Sequence, residues 1–176
     1  KKEAEKIKDL KLGMSFVDEY DEEFYKKKYA KFEKFVLSVG TIEIRKNQIL
    51  LLNAYRNLVK KNIKNLPQLI IVGSQGWNCG GINYQLKSDP LIKEIVTLEE
   101  TINDYELDWL YKNCSFSLFP SFYEGLGLPV VESLSAGRPC ITSNVSSMKE
   151  IDNQYLTFLS PYDLDAWTNQ ILYLIE

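Results

Sequence analysis

Glu124 and Glu132, with seven residues between them, are the side chains of this sequence best placed for chemistry. A carboxylate accepts hydrogen bonds from hydroxyls, so two of them held a few ångströms apart suit a polyhydroxylated ligand. Gly125 and Gly127 lie between them and let backbone N–H groups come close to a ligand. The flanking residues say where this loop sits. Phe116 to Phe119 is an apolar run stopped by Pro120, which reads as a buried strand. Ser121 to Leu126 is a loop. Pro129 opens a helix at a position where a missing N–H costs nothing, Gly137 closes it, and Cys140-Ile141-Thr142 begins another strand. Strand, loop, helix, strand is a crossover onto a parallel sheet, right-handed by the general rule. Ligands of open α/β sheets bind at such a loop, and free N–H groups with the helix dipole favour an anion there. A phosphate between the two carboxylates would complete the site. On spacing alone, a surface glutamate and a first-turn glutamate placed for the helix dipole is an equally good reading.

A basic pair, Arg45-Lys46, follows the first strand, Phe35 to Val39, which is closed by Gly40. A pair at the carboxyl end of that strand could reach the crevice under the Glu124 loop, and lysine suits a diphosphate as a point charge. Spacing alone favours a solvated turn instead. The second strand, Leu69 to Val72, ends at Gly73-Ser74-Gln75-Gly76-Trp77. This is no dinucleotide fingerprint, since no third glycine follows at the needed spacing. Trp77 is expected to pack on its loop.

The run Pro120-Ser121-Phe122-Tyr123-Glu124-Gly125-Leu126-Gly127-Leu128-Pro129-Val130-Val131-Glu132-Ser133-Leu134, then Gly137-Arg138-Pro139 and Ser143 to Glu150, resembles the donor-binding signature of the retaining GT-B glycosyltransferases of family 4. The resemblance covers about residues 35 to 175. It implies a Rossmann-like α/β domain, a doubly wound parallel sheet forming the carboxy-terminal, donor-binding half of a GT-B enzyme. The donor substrate would be a nucleoside diphosphate sugar, with no further cofactor and no metal. Carried onto this sequence, Glu124 would be the catalytic-site carboxylate gripping the sugar and Glu132 would take the ribose hydroxyls. Lys46, with Arg45, would meet the diphosphate together with the backbone of Gly125, Leu126, Gly127 and Leu128. Gly73 belongs to the glycine-rich loop, and the backbone near Ile102 would face the nucleobase. Two departures stand out: Leu126 replaces an aromatic common between the glycines, and Thr41 replaces an arginine common after the strand-end glycine, so Lys46 carries over better than Arg45.

A chain of 176 residues with 45% apolar and 26% charged residues and a net charge of −3 reads as one soluble domain, large enough to bury about 70% of its unfolded surface. Histidine is absent, which removes histidine triads and histidine metal clusters. Cys79, Cys114 and Cys140 are scattered and read as free thiols of a reducing compartment. No apolar run is long enough to span a bilayer, and no leader is expected. The first residue is Lys1, so the chain is expected to be excised from something longer. Residues 1 to 34, charge-dense with a short helix at Lys1 to Leu12, read as an interdomain linker, and residues 35 to 176 as the donor domain. The basic run Lys26 to Lys34 is short and faces acidic neighbours, which argues against nucleic acid.

Further along, Ile95 to Leu98 is a strand, Asn103 or Asp104 caps a helix, Tyr155 to Leu159 is a last strand and Asp163 to Glu176 a final helix. Asn47 is expected to cap the helix after the first strand. Asn78 to Pro90 has no clear structure. Asp163-Leu164-Asp165 matches an Asp-x-Asp metal motif but reads better as a helix cap. The expected acceptor is a saccharide or lipid-linked molecule bound by an amino-terminal half outside these residues, in the cytoplasm, with the inner membrane face within that half's reach. The competing reading is a non-catalytic nucleotide- or sugar-binding module on the same fold. A receiver-type signalling domain fails, because Gly40-Thr41 and Leu98 stand where it needs acids.

Overall fold

Short apolar runs buried on both faces can be satisfied only in a sheet with helices on either side. The computed structural model, which describes residues 22–77, 79–145, 148, 151 and 153–176, has that architecture. Its strands are β1 (Phe35–Val39), β2 (Gln68–Val72), β3 (Val96–Glu99), β4 (Ser117–Phe119), β5 (Cys140–Ser143) and β6 (Leu156–Leu159). All pair in parallel in the order β3-β2-β1-β4-β5-β6. The expected doubly wound sheet is therefore present, and its order reverses between β1 and β4, where such sheets open a ligand crevice.

The helices are α1 (Glu22–Lys28), α2 (Gln48–Lys60), α3 (Gly80–Ser88), α4 (Asp104–Asn113), α5 (Leu128–Ser135) and α6 (Leu164–Ile175). Strand residues alternate between two cores. Val36, Leu69 and Ile71 join Leu51 and Tyr55 of α2, Ile82 of α3 and Trp167 of α6. Leu37, Ile70 and Val72 join Tyr25 of α1, Trp109 and Leu110 of α4 and Val130 of α5. The two-residue period of the strand thus feeds both helical layers. The caps follow simple chemistry. The Asn103 side chain accepts from Glu106 N at 2.8 Å and that of Asp163 from Ala166 N at 2.9 Å, the cap reading preferred over an Asp-x-Asp metal site. Gly137, at φ 74°, ends α5, with its N–H on Leu134 O and that of Arg138 on Ser133 O.

Four local expectations need correction. The stretch Asn78 to Pro90 contains a helix, α3, which starts at a glycine pair with no side-chain cap and so announces itself poorly. Trp77 does not pack on its loop; it is 78% exposed. The strand of the Ser115 region begins at Ser117, one residue after Phe116, and β3 runs one residue later than expected.

The helix expected at Lys1 to Leu12 lies outside the described residues. Within residues 22–29, Tyr25 and Tyr29 are buried; Tyr29 stacks on Trp109 at 5.5 Å, and its hydroxyl donates to buried Glu106 at 2.5 Å. Lys28 Nζ meets the same carboxylate. Among the described residues, no helix is long and apolar enough to cross a membrane.

Candidate functional site

The site begins where β1 ends. Gly40 (φ 148°) turns the chain, and Gly73, at the end of β2, lies directly against it. A Cβ on Gly73 would stand 2.1 Å from Gly40 O. One on Gly76 would stand 2.6 Å from Thr41 Cγ2 and 3.1 Å from Ile42 O. The glycine-rich loop is therefore glycine-rich because it lies flat on the turn after β1, an arrangement closed by a parallel bridge between Ile42 and Gln75.

That turn runs on into a 3₁₀ segment, Ile44–Lys46, which delivers the basic pair. The Lys46 side chain lies over Gly40, its Cδ and Cε 3.4 Å from where a Gly40 Cβ would be. The Lys46 ammonium then reaches Glu124 Oε1. Arg45 Nη1 meets Glu124 Oε2 at 3.2 Å and the carbonyl of Tyr123 at 3.1 Å, and its Nη2 meets Glu43 Oε1 at 2.6 Å. Ser121 Oγ donates to Glu124 Oε1 at 2.8 Å. Glu124 is 8% exposed, so its charge is matched by neighbours rather than by water alone. The structure thus joins the basic pair to the Glu124 loop across the β1–β4 crevice, with Lys46 half-buried and Arg45 exposed.

Asn47 was expected to cap α2 with its side chain. It sits instead at φ 55°, buried, and its Nδ2 donates to Pro120 O and Pro161 O, both at 3.0 Å. It fastens the turn after β1 to the loop after β4. The short amide can hold this left-handed conformation where a β-branched residue could not.

Glu132 lies about one turn into α5. Its Oε2 accepts from the hydroxyl of buried Tyr111 at 2.9 Å. Burial, then the Glu132 carboxylate, holds the Tyr111 phenol well above its ordinary range, so it remains a donor. The start of α5 has no side-chain cap; Gly127 (φ 62°) precedes it and leaves no room for a Cβ against Met148 Sδ, 2.5 Å away. Gly125 faces open space, and Leu126 and Leu128 are exposed. Ile102 is half-buried, packed on the core beside α4. Arg45, Lys46 and Glu124 are thus in direct contact. Gly73 supports the turn beneath them, and Glu132 is held separately on the α5–α4 side.

The sequence does not mark Ser121, Glu43 or Tyr111 as parts of this arrangement. A serine three residues before a loop glutamate is the one local signal that could have been used. Cys114 and Cys140 supply no nucleophile: burial pushes both thiols up to about 12, so both are protonated near neutral pH.

The sequence profile of the family described as glycosyl transferases group 1 matches residues 20–176. The O-antigen chain mannosyltransferase B of Escherichia coli is 33% identical over 145 residues, covering 82% of this chain and 38% of that protein. Among solved structures, sucrose-phosphate synthase of Thermosynechococcus elongatus superposes with a TM-score of 0.72 at 25% identity, over 87% of this chain and 39% of that one. HepE of Anabaena, solved in complex with UDP, superposes with a TM-score of 0.72 at 16% identity, over 90% of this chain and 44% of that one. The chain therefore spans less than half the length of each of these relatives.

Proposed function

The chain belongs to the glycosyl transferases group 1 family, and from that premise we propose that it is the donor-binding domain of a retaining hexosyltransferase. In this reading a nucleoside diphosphate sugar binds over the β1–β4 crevice, and its hexose passes to a saccharide or lipid-linked acceptor held by a further domain of the full-length protein. The hexose is mannose, on the strength of the mannosyltransferase among the relatives. The reading puts the reaction in the cytoplasm. Its chief support is the junction of Lys46, Arg45 and Glu124 at the point where the strand order reverses.

Each role follows from the chemistry of its group. Lys46 is a compact positive charge whose stem is braced by Gly40, so it meets the diphosphate. The uncapped start of α5 at Leu128, with Gly125 to Gly127 before it, presents N–H groups to the same phosphates. The backbone beside Ile102 takes the base. Glu124 accepts from sugar hydroxyls and Glu132 from the ribose. Retention proceeds by same-face substitution: the diphosphate leaves, its oxygen takes the acceptor's proton, and the acceptor oxygen bonds to the anomeric carbon. The protein supplies orientation and stabilises the charge gathering on the leaving group.

Thermal unfolding of the chain against GDP-mannose, UDP-galactose and UDP-glucose tests this. At least one is expected to raise the midpoint, and a hundredfold excess over Kd contributes about 2.7 kcal/mol. Flat midpoints across such a panel, extended to the common nucleotide sugars, would count against donor binding. Glu132→Gln keeps an acceptor for the Tyr111 hydroxyl but loses a charged partner for ribose. It should weaken GDP or UDP binding by about 1 kcal/mol, and a 2′-deoxy nucleotide should shrink that difference. Equal affinity of the variant and wild type for the ribonucleotide would remove Glu132 from the ribose.

A further inference from the structure

We propose that Arg45 is a positioning residue that holds Glu124 and its loop in place, and is not a contact for the donor's diphosphate. This inference rests on the assignment of Glu124 to the sugar.

Arg45 grips the loop after β4 with both backbone and side chain. Its carbonyl accepts from Phe122 N at 2.9 Å. Its guanidinium donates to Tyr123 O and to Glu124 Oε2. Three consecutive loop residues are therefore tied to one residue of the turn after β1. Asn47, two residues on, holds Pro120 O as well, so the turn acts as a template for residues 120–124. The guanidinium is also occupied from its other side by Glu43 Oε1 at 2.6 Å. An incoming diphosphate at Arg45 would face the Glu43 carboxylate and would have to displace one carboxylate or the other.

Lys46 is placed differently. Its side chain is 13% exposed against 44% for Arg45, and its head lies at the crevice beside Gly40. Glu43, which faces Arg45, is not within ion-pair distance of it. The basic pair thus divides its labour: Lys46 meets phosphate, and Arg45 aims the carboxylate.

The geometry of Glu124 shows what that aim does. Oε1 receives Ser121 Oγ and Lys46, and Oε2 receives Arg45. The carboxylate plane is fixed at both oxygens. Only a planar fork can meet Tyr123 O, Glu124 and Glu43 at once, so lysine is no substitute. The guanidinium is partly in solvent while the carboxylate is buried, so the pair's effect falls on where Glu124 points.

The test is calorimetric titration of the chain with GDP and with GDP-mannose, the ratio of the two affinities reading the sugar's own contribution. Arg45→Ala is expected to keep GDP affinity within about twofold and to lower the sugar's contribution by roughly two- to tenfold, the worth of one or two hydrogen bonds. Arg45→Lys should behave like Arg45→Ala. The double variant Arg45→Ala with Glu124→Ala should bind GDP-mannose no more weakly than Glu124→Ala alone, since Arg45 acts through Glu124. A role in folding alone would lower GDP and GDP-mannose affinity equally and would overturn the proposal. So would a loss of GDP affinity in Arg45→Ala matching that of Lys46→Ala, or additive losses in the double variant. If wild type bound GDP but gained nothing from the sugar, the inference and the sugar role of Glu124 would both fall. If it bound neither probe, mannose donor binding would fall with them.

Discussion

Glu124→Ala in the full-length protein is expected to lower sugar transfer about a hundredfold to a thousandfold while leaving affinity for the sugar-free nucleoside diphosphate intact. The size is that of removing one preorganised polar contact from a reacting centre. The reason for the split lies in the crevice. Glu124 is held by Lys46, Arg45 and Ser121, so its orientation is fixed before substrate arrives. Its loss leaves the sugar hydroxyls without that acceptor, and the hexose can drift. A misplacement near 1 Å is enough to cost about a hundredfold. The diphosphate feels the opposite change, because Lys46 loses a competing carboxylate. Affinity for the nucleoside diphosphate should therefore hold or rise. Near-normal turnover would contradict this role. A glycosylated Glu124 trapped by mass spectrometry would contradict same-face substitution, since it would make Glu124 a nucleophile.

Gly73→Ala is expected to produce the largest loss of stability of any single methyl added in this domain, roughly 3 kcal/mol or more. The added Cβ would stand 2.1 Å from Gly40 O and 2.7 Å from Gly40 C. Both are backbone atoms, so no side chain can swing aside. Gly40 cannot retreat easily either. Its N–H is bonded to Val72 O at 2.9 Å, and Gly73 N is bonded to Glu99 O at 3.0 Å. Three strand ends must shift together, and they carry the turn that delivers Lys46. Gly125→Ala is the control. Nothing lies within 4 Å of a Cβ there, so its effect should stay within about 0.5 kcal/mol. Urea unfolding of the two variants reads the difference; equal midpoints would contradict the close contact of the Gly73 and Gly40 backbones.

Much of the domain could be read in advance because its signals are local. Strands buried on two faces read as apolar runs, unbroken in Leu69 to Val72 and interrupted only by Ser38 in Phe35 to Val39, and their ends are marked by Gly40 and Gly73. Asn103 and Asp163 cap helices through contacts three residues away, which a sequence displays directly. The pairing of the basic turn with the Glu124 loop was legible only because both follow strand ends of one sheet.

What was not legible depends on contacts across the fold. Asn47 looked like a helix cap, but its partners Pro120 and Pro161 lie 73 and 114 residues away. Tyr111 and Glu132 meet across two helices, and nothing in either neighbourhood marks the pair. The charge-dense stretch before β1 hid Tyr25 and Tyr29, four residues apart on one helical face and both buried. Trp77 is exposed beside a loop whose glycines lie against the turn after β1, a packing between distant segments.

The most direct measurement is calorimetric titration of wild type and Lys46→Ala with GDP and with UDP. The account predicts that wild type binds at least one of them and that the variant binds it roughly 1–3 kcal/mol more weakly, the scale of a charge-assisted hydrogen bond. Unchanged affinity in Lys46→Ala, or no binding of either diphosphate by wild type, would contradict it.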